Sequence, residues 1–223
     1  MKRITVLLAE DHQIVREGFR SLLEHEADIE VVGEAETGRQ AVQLTRKLRP
    51  AVVVMDIAMP LLNGLEATRQ IRKDFPDTKV LILSAHSDEP YVEQVALLGA
   101  AGFLLKQTSS HALATAIREV QKGNTFFSPS ISKRDRGQNP LARGGQFQKK
   151  RNQLSSREVE VLQLIAEGKP NKQVAAELGV SFKTVDKHRQ HLMSKLNIHD
   201  IAGLTRYAIA EGIIDSSVRL TIT

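Results

Sequence analysis

Two rhythms of apolar residues divide the chain. Over residues 1–127, short apolar runs at 4–9, 29–33, 52–55, 80–83 and 102–105 alternate with stretches where apolar residues recur every three or four positions, at 14–23, 41–48, 65–71, 92–98 and 113–120. The short runs have the length and β-branched content of buried strands, and the periodic stretches each carry one apolar face, as helices covering a sheet do. Parallel crossovers are right-handed and the helices must cover both faces. The alternation therefore predicts an α/β doubly wound, five-stranded parallel sheet.

From residue 154 onward only helical periodicity remains. Ser155 and Glu158 have capping-box spacing, after which Val159, Leu162 and Ile165 recur until Gly168. Pro170 and Asn171 open a second helix with Val174, Ala175 and Leu178 facing inward up to Gly179, and Ser181 caps a third that runs to about residue 196. Two short helices meeting at Gly179-Val180 predict an all-α helix-turn-helix domain. A last helix, from about 200 to 211, carries Ile201, Leu204, Tyr207 and Ala208 as its apolar set.

Composition narrows the class. With 41% hydrophobic and 26% charged residues the chain is an ordinary globular protein, and with no cysteine it has no disulfide, thiolate nucleophile or thiolate metal site. The first apolar run stops at Glu10-Asp11, too short and too acidic at its end for a signal peptide or membrane span, so the expectation is a cytoplasmic protein with no membrane partner. Charge is uneven along the chain. Residues 1–127 hold 15 Lys+Arg against 17 Asp+Glu, residues 154–223 hold 9 against 8, and residues 128–153 hold 7 against 1. That middle stretch is poor in apolar residues and rich in Gly, Pro and charge, the composition of a flexible basic linker between two domains. Its charge serves either as a solvated tether or as a non-specific attraction to a phosphate backbone.

In doubly wound sheets, ligands bind beyond the carboxyl ends of the strands, where strand order reverses. The first strand ends in Glu10-Asp11, the third in Asp56, the fourth in Ser84 and the fifth in Lys106. Three crowded carboxylates call for a cation, and Mg²⁺, which takes one or two carboxylates and favours phosphate oxygens, suits them best. Asp56, placed centrally, can act as a nucleophile toward phosphorus while the metal and Lys106 stabilise the equatorial oxygens. His12 is expected to be an exposed loop residue, and Met55 and Met59 to be packing residues.

Glu10-Asp11, the segment Asp56-Ile-Ala-Met-Pro-Leu-Leu-Asn-Gly64, Ser84-Ala85 and Lys106 together resemble the receiver domain of two-component response regulators over about residues 3–123. The resemblance implies a flavodoxin-like fold, with Asp56 as phosphoacceptor and Glu10, Asp11, Asp56 and the Ala58 carbonyl as Mg²⁺ ligands. It makes Lys106 the phosphate-sensing cation and Ser84 a partner of the phosphoryl group. Phe103, three residues before Lys106, takes the position of the family's switch aromatic. Gln107 stands where many receivers carry proline, and Ser84 keeps the hydroxyl of the more frequent threonine.

The third helix of the C-terminal block carries Val185, Leu192 and Leu196 on one stripe and Lys183, Lys187, Gln190 and Ser194 on the opposite one. Between 181 and 196 there are four Lys/Arg and one acid, in a block that is otherwise nearly neutral. Such a helix fits the major groove of double-stranded DNA. The segments 154–162, 168–172 and 183–189 resemble the LuxR-type helix-turn-helix of NarL/FixJ-type response regulators. By that resemblance Lys183, Lys187 and Gln190 reach base edges, while Thr184, His188, Arg189 and Lys195 meet phosphates or flank the groove. Asp186 either accepts from a cytosine amine or pairs with Lys183 or Arg189 within the helix. The last helix either contributes a dimer contact on DNA or packs on its own core.

The expected protein is therefore a response regulator, not an enzyme. It comprises a receiver at 1–127, a linker at 128–153 and a DNA-binding domain at 154–223. A sensor histidine kinase would phosphorylate Asp56, drawing in Ser84 and Lys106 and biasing Phe103 inward. A homodimer would then form, or an occluded recognition helix would be released. Two other classes compete. An Mg²⁺-dependent phosphatase with an Asp nucleophile would need a second Asp two residues on, where Ala58 stands. A binding module that never takes phosphate would have no use for the acidic pocket.

Overall fold

The protein's structure, a computed structural model, describes residues 3–85, 95–107, 110–127 and 154–214. The N-terminal unit runs β1 (Ile4–Ala9), α1 (Gln13–Glu24), β2 (Ile29–Ala35), α2 (Gly38–Leu48), β3 (Val52–Asp56), α3 (Gly64–Asp74), β4 (Lys79–Ser84), β5 (Gly102–Leu105), α4 (Ser110–Gln121) and β6 (Phe126–Phe127). All five strand pairings are parallel, in the order β2-β1-β3-β4-β5-β6. The expected five strands are present. The two-residue β6 extends the sheet to six by pairing Phe126 and Phe127 with Gly102 and Phe103. Of the periodic stretch at 92–98, residues 92–94 lie outside the described residues, whereas 95–97 are helical with Val95 buried in the core; the linker reading of 128–153 lies wholly outside the described residues.

Alternation along the central strands sends side chains to two separate cores. Leu7, Val53, Met55, Ile82 and Phe103 join α2 and α3 on one face, whereas Val6, Leu8, Val54, Leu81 and Leu104 join α1 and α4 on the other. All five residues of β3 are buried, as a strand with neighbours on both sides and helices above and below must be. One expectation fails on α1. Ile14, read as part of its apolar face, is 86% exposed, while Arg16 is buried. The arginine is tolerated because all its polarity is met: Nε donates to Glu34, Nη2 to Glu36 and Nη1 to the Glu10 carbonyl at 2.7 Å. Because Arg16 satisfies Glu34, β2 also continues past this charged residue, two positions beyond its apolar run.

The C-terminal unit is α5 (Ser156–Ala166), α6 (Asn171–Leu178), α7 (Phe182–Leu196) and α8 (Ile201–Ala210). Ser155 and Glu158 form the capping box at the start of α5. Gly179 ends α6 at φ +61°, a left-handed conformation that glycine adopts without steric cost, and Ser181 caps α7 by accepting from the Thr184 N–H. Leu162, Val174, Val185, Leu192 and Leu204 share one core. Ile201, assigned above to the apolar set of α8, is instead 51% exposed, as is Ile209 at 39%.

The two units touch. Residues 161–166 of α5 are all buried, including Gln163, and Glu160 is buried beside them. One side of this helix faces its own core and the other faces the loop that follows β3. Leu61, at the tip of that loop, packs against the core of the helical unit.

Candidate functional site

Sheet order reverses between β1 and β3, and this is where the acidic residues gather. Glu10 and Asp56 are 2% and 3% exposed, and Asp11 lies at the mouth. Lys106, from the end of β5, reaches across with Nζ 2.7 Å from Glu10 Oε2 and 3.0 Å from Asp56 Oδ1. Burial, and then the neighbouring Glu10 charge, push the Asp56 carboxyl up to about 6 against the pull of Lys106. Burial likewise raises Asp11, with His12 acting the other way. Burial alone would lower the Lys106 ammonium, but the Asp56 and Glu10 charges beside it outweigh that and raise it, so it stays protonated.

Lys106 thus pairs directly with two of the three carboxylates, Glu10 and Asp56. Among the described residues Asp56 Oδ2 is buried without a hydrogen-bond partner. Such a donor set, all oxygen with an orphaned buried acceptor, fits a hard divalent ion. His12, exposed as expected, nevertheless leans on the pair, with Nδ1 3.1 Å from Glu10 Oε1 and 2.9 Å from Asp11 Oδ1. Ser84 is buried at the end of β4, its carbonyl accepting from the Lys106 N–H at 2.8 Å. Phe103 is fully buried among the core residues of the same face as Met55 and Ile82, so the inward position is the one observed. Met55 and Met59 pack in that core.

Arg16, whose part was not read from the sequence, and Asn63 and Gly64 of the 56–64 segment also shape this edge. Arg16 holds the Glu10 carbonyl. Gly64 is needed because a Cβ there would lie 1.8 Å from the Asp56 carbonyl oxygen. Its N–H bonds to the Ile57 carbonyl at 2.8 Å, and the Asn63 side chain caps α3 by accepting from the Glu66 N–H. Between Ala58 and Asn63 the backbone turns sharply, with Leu61 at φ +67°, a region costly for a side-chain-bearing residue. The Asn-Gly pair was a visible signal for the turn, but nothing in a leucine marks a left-handed φ.

On α7, Lys183, Lys187, Gln190 and Ser194 are exposed, and Val185 and Leu192 face the core as expected. Lys183 and Lys187 form no ion pair among the described residues. Asp186 takes a partner other than those expected, accepting from Gln190 Nε2 at 3.1 Å. Arg189 donates to Asn171 at the start of α6, and the Thr184 and Ser181 hydroxyls share a hydrogen bond. His188 is half-buried. Lys195, expected at phosphates, points away to the capping box and lies 2.7 Å from Glu158 Oε2. Burial would raise the Glu158 carboxyl, but Lys195 and the Ser155 donors prevail and lower it.

A buried acidic pocket at the switch point of a doubly wound sheet, joined in one chain to a helix-turn-helix with a basic exposed face, defines a response regulator that carries its own DNA-binding unit. Residues 6–118 match the response regulator receiver domain, and residues 152–208 match the bacterial regulatory proteins of the luxR family. The chain is 36% identical over 211 residues to the transcriptional regulatory protein DegU of Brevibacillus brevis, covering 89% of each. It is 38% identical over 218 residues to the oxygen regulatory protein NreC of Staphylococcus carnosus, covering 94% of this chain and 99% of that one. Among solved structures, the RcsB response regulator of Salmonella typhimurium matches with a TM-score of 0.56 at 28% identity, over 94% of this chain and 100% of that one. A structure of two RcsB dimers bound to two parallel DNAs matches with a TM-score of 0.57 at 29% identity, over 92% and 98%. The chain belongs to the NarL/FixJ-type response regulators, the DNA-binding transcription regulators of two-component systems. Among the described residues no helix is long and apolar enough to cross a membrane.

Proposed function

We propose that Asp56 is the phosphoacceptor, charged by a sensor histidine kinase or a small phosphodonor, and that its phosphorylation controls how α7 engages double-stranded DNA. The observation that carries this reading is the convergence of Asp56, Glu10, Asp11 and Lys106 from three strand ends onto one buried spot. An Asp56 carboxylate oxygen attacks phosphorus; an O–P bond forms as the P–N bond to the kinase histidine breaks, and the departing imidazole nitrogen takes up a proton. Glu10, Asp11, Asp56 and the Ala58 carbonyl would hold Mg²⁺, which when bound supplies charge neutralisation for the phosphoryl oxygens. Lys106 keeps its proton and changes partner from the Asp56 carboxylate to the phosphoryl group. Ser84, whose hydroxyl comes from the adjacent strand end, donates to the same group.

At the other end of the molecule, Lys183 and Lys187 are the side chains free to reach base edges, with Gln190 available once it leaves Asp186. Thr184, His188 and Arg189 flank them on the phosphate side. The structure speaks against one expected route of control, since α7 is already exposed while the units are in contact. Pairing of two copies is the better-supported route. Ile201 and Ile209 on α8 offer exposed apolar surface for it, and a relative has been solved as dimers on DNA. A cytoplasmic location follows from these partners.

The test is phosphodonor labelling in Mg²⁺, followed by a DNA titration. Asp56→Asn should reduce labelling at least 100-fold and remove the phosphodonor's effect on DNA affinity; labelling that persists in the variant rejects the assignment.

A further inference from the structure

The loop that follows the phosphoacceptor is held from outside its own unit. Gln163, on α5 and 1% exposed, uses both ends of its amide on it: Nε2 donates to the Met59 carbonyl at 2.9 Å, and Oε1 accepts from the Asn63 N–H at 2.8 Å. Glu167, at the end of α5, accepts from the Leu61 N–H at 3.0 Å and from Gln163 Nε2 at 2.8 Å. The Asn63 side chain, while capping α3, donates to the Ile213 carbonyl. These contacts bracket residues 59–63, whose first member adjoins Ala58 and whose middle member is the left-handed Leu61.

A leucine prefers negative φ, so a free loop would relax toward it, and the Ala58 carbonyl would move with the chain. We propose that Gln163 is a positioning residue of the phosphorylation site: from the DNA-binding unit it fixes the Met59–Asn63 loop so that the Ala58 carbonyl is preset for the divalent cation. This deepens the proposed function and rests on its assignment of Asp56 and Ala58. By linkage, whatever strengthens loop docking strengthens cation binding, and cation binding in turn strengthens docking of the two units. The DNA-binding unit is then a component of the receiver's chemistry and not only its target.

The test uses the full chain. Mg²⁺ affinity is read by calorimetry or amide NMR, since the protein has no tryptophan, and phosphodonor labelling is followed as a function of Mg²⁺. Gln163→Ala should weaken Mg²⁺ binding about 5- to 10-fold and raise the Mg²⁺ needed for half-maximal labelling equally, while the labelling rate at saturating Mg²⁺ stays within about two-fold. Glu167→Ala, outside the helical core, should act in the same direction and covers the case of a Gln163 variant that folds poorly. Leu61→Gly removes the cost of the left-handed φ. In that background Gln163→Ala should lose most of its effect, a non-additivity that simple destabilisation of α5 would not produce. Unchanged Mg²⁺ affinity in both single variants, or additive effects in the double variant, overturns the proposal while Asp56 labelling in the parent chain still stands. A parent chain that neither binds Mg²⁺ nor labels at Asp56 overturns both readings.

Discussion

The acidic pocket and the basic face of α7 handle charge in opposite ways. In the pocket, Glu10 and Asp56 are almost fully buried, Lys106 pairs with both, and Asp56 Oδ2 has no hydrogen-bond partner among the described residues. On α7, Lys183 and Lys187 stand in solvent, where their charge costs little. Electrostatic free energy is therefore stored at the input end and not at the output end. A phosphoryl group and a cation would relieve the pocket's excess charge, whereas the DNA-facing helix needs no rearrangement of its own. This difference makes the pocket the bistable element and α7 a preformed tool whose use depends on placement.

The largest expected effect follows from that asymmetry. Asp56→Asn and Glu10→Gln should each reduce Mg²⁺-dependent labelling by two orders of magnitude or more, as loss of a nucleophile or of a buried ligand does. Basal DNA affinity, measured without phosphodonor, should stay within about two-fold of the parent. A pocket variant that changed basal DNA binding tenfold would show that the two regions are not separable in this way.

The reverse experiment is next in size. Lys183→Ala and Lys187→Ala should each weaken specific DNA binding by about 1–3 kcal/mol if they read base edges, and should leave labelling unchanged. Preserved sequence preference together with a shallower salt dependence would move them to the phosphate class instead.

Stored charge also predicts a pH dependence of stability. In the folded protein burial and the Glu10 charge hold the Asp56 carboxyl up at about 6, against 3.8 for an ordinary carboxyl of this kind. The folded state therefore holds the proton more tightly than the unfolded chain does. The resulting stability contribution is present below about 3.8 and is lost as pH rises through about 6, so Asp56 is a net liability at neutral pH, on the order of 3 kcal/mol. In metal-free urea titrations Asp56→Asn should be the more stable protein at pH 7, with roughly half of that gain gone by pH 5 and nearly all of it by about pH 3.5. An equal gain at all three values would show that the pocket does not store charge as described.

How much of this was legible in the sequence depended on whether a residue's partner lies within its own unit. Glu10, Asp11, Asp56 and Lys106 could be placed because apolar runs mark strand ends and a doubly wound order brings those ends together. Ser181 and the Ser155–Glu158 box were equally readable, being local. The buried faces of α5 were not. Glu160 and Gln163 look like solvent positions in the helical period, yet they are buried because Arg39 and Gln70 of the sheet unit, and the loop at 59–63, lie against them. The burial of Arg16 on α1, beside an exposed Ile14, was hidden for a related reason. Three acceptors separated from the arginine in sequence satisfy it, and apolar periodicity carries no record of them.

Lys195 offers the finest test of where the DNA-facing surface ends. Its position in the sequence groups it with the phosphate-binding residues, but in the fold its ammonium sits 2.7 Å from Glu158, which also accepts from the Ser155 N–H and hydroxyl. A cation held there closes the capping box of α5 and is drawn off the groove side of α7. Lys195→Met, which keeps the aliphatic stem, should therefore lower stability by about 0.5–1 kcal/mol, the range for a half-exposed ion pair, while changing DNA affinity less than two-fold. The salt slope decides between the two roles. If the lysine met a phosphate, its removal would reduce the slope of log K against log salt by about 0.9, whereas a residue engaged with the capping box leaves that slope unchanged.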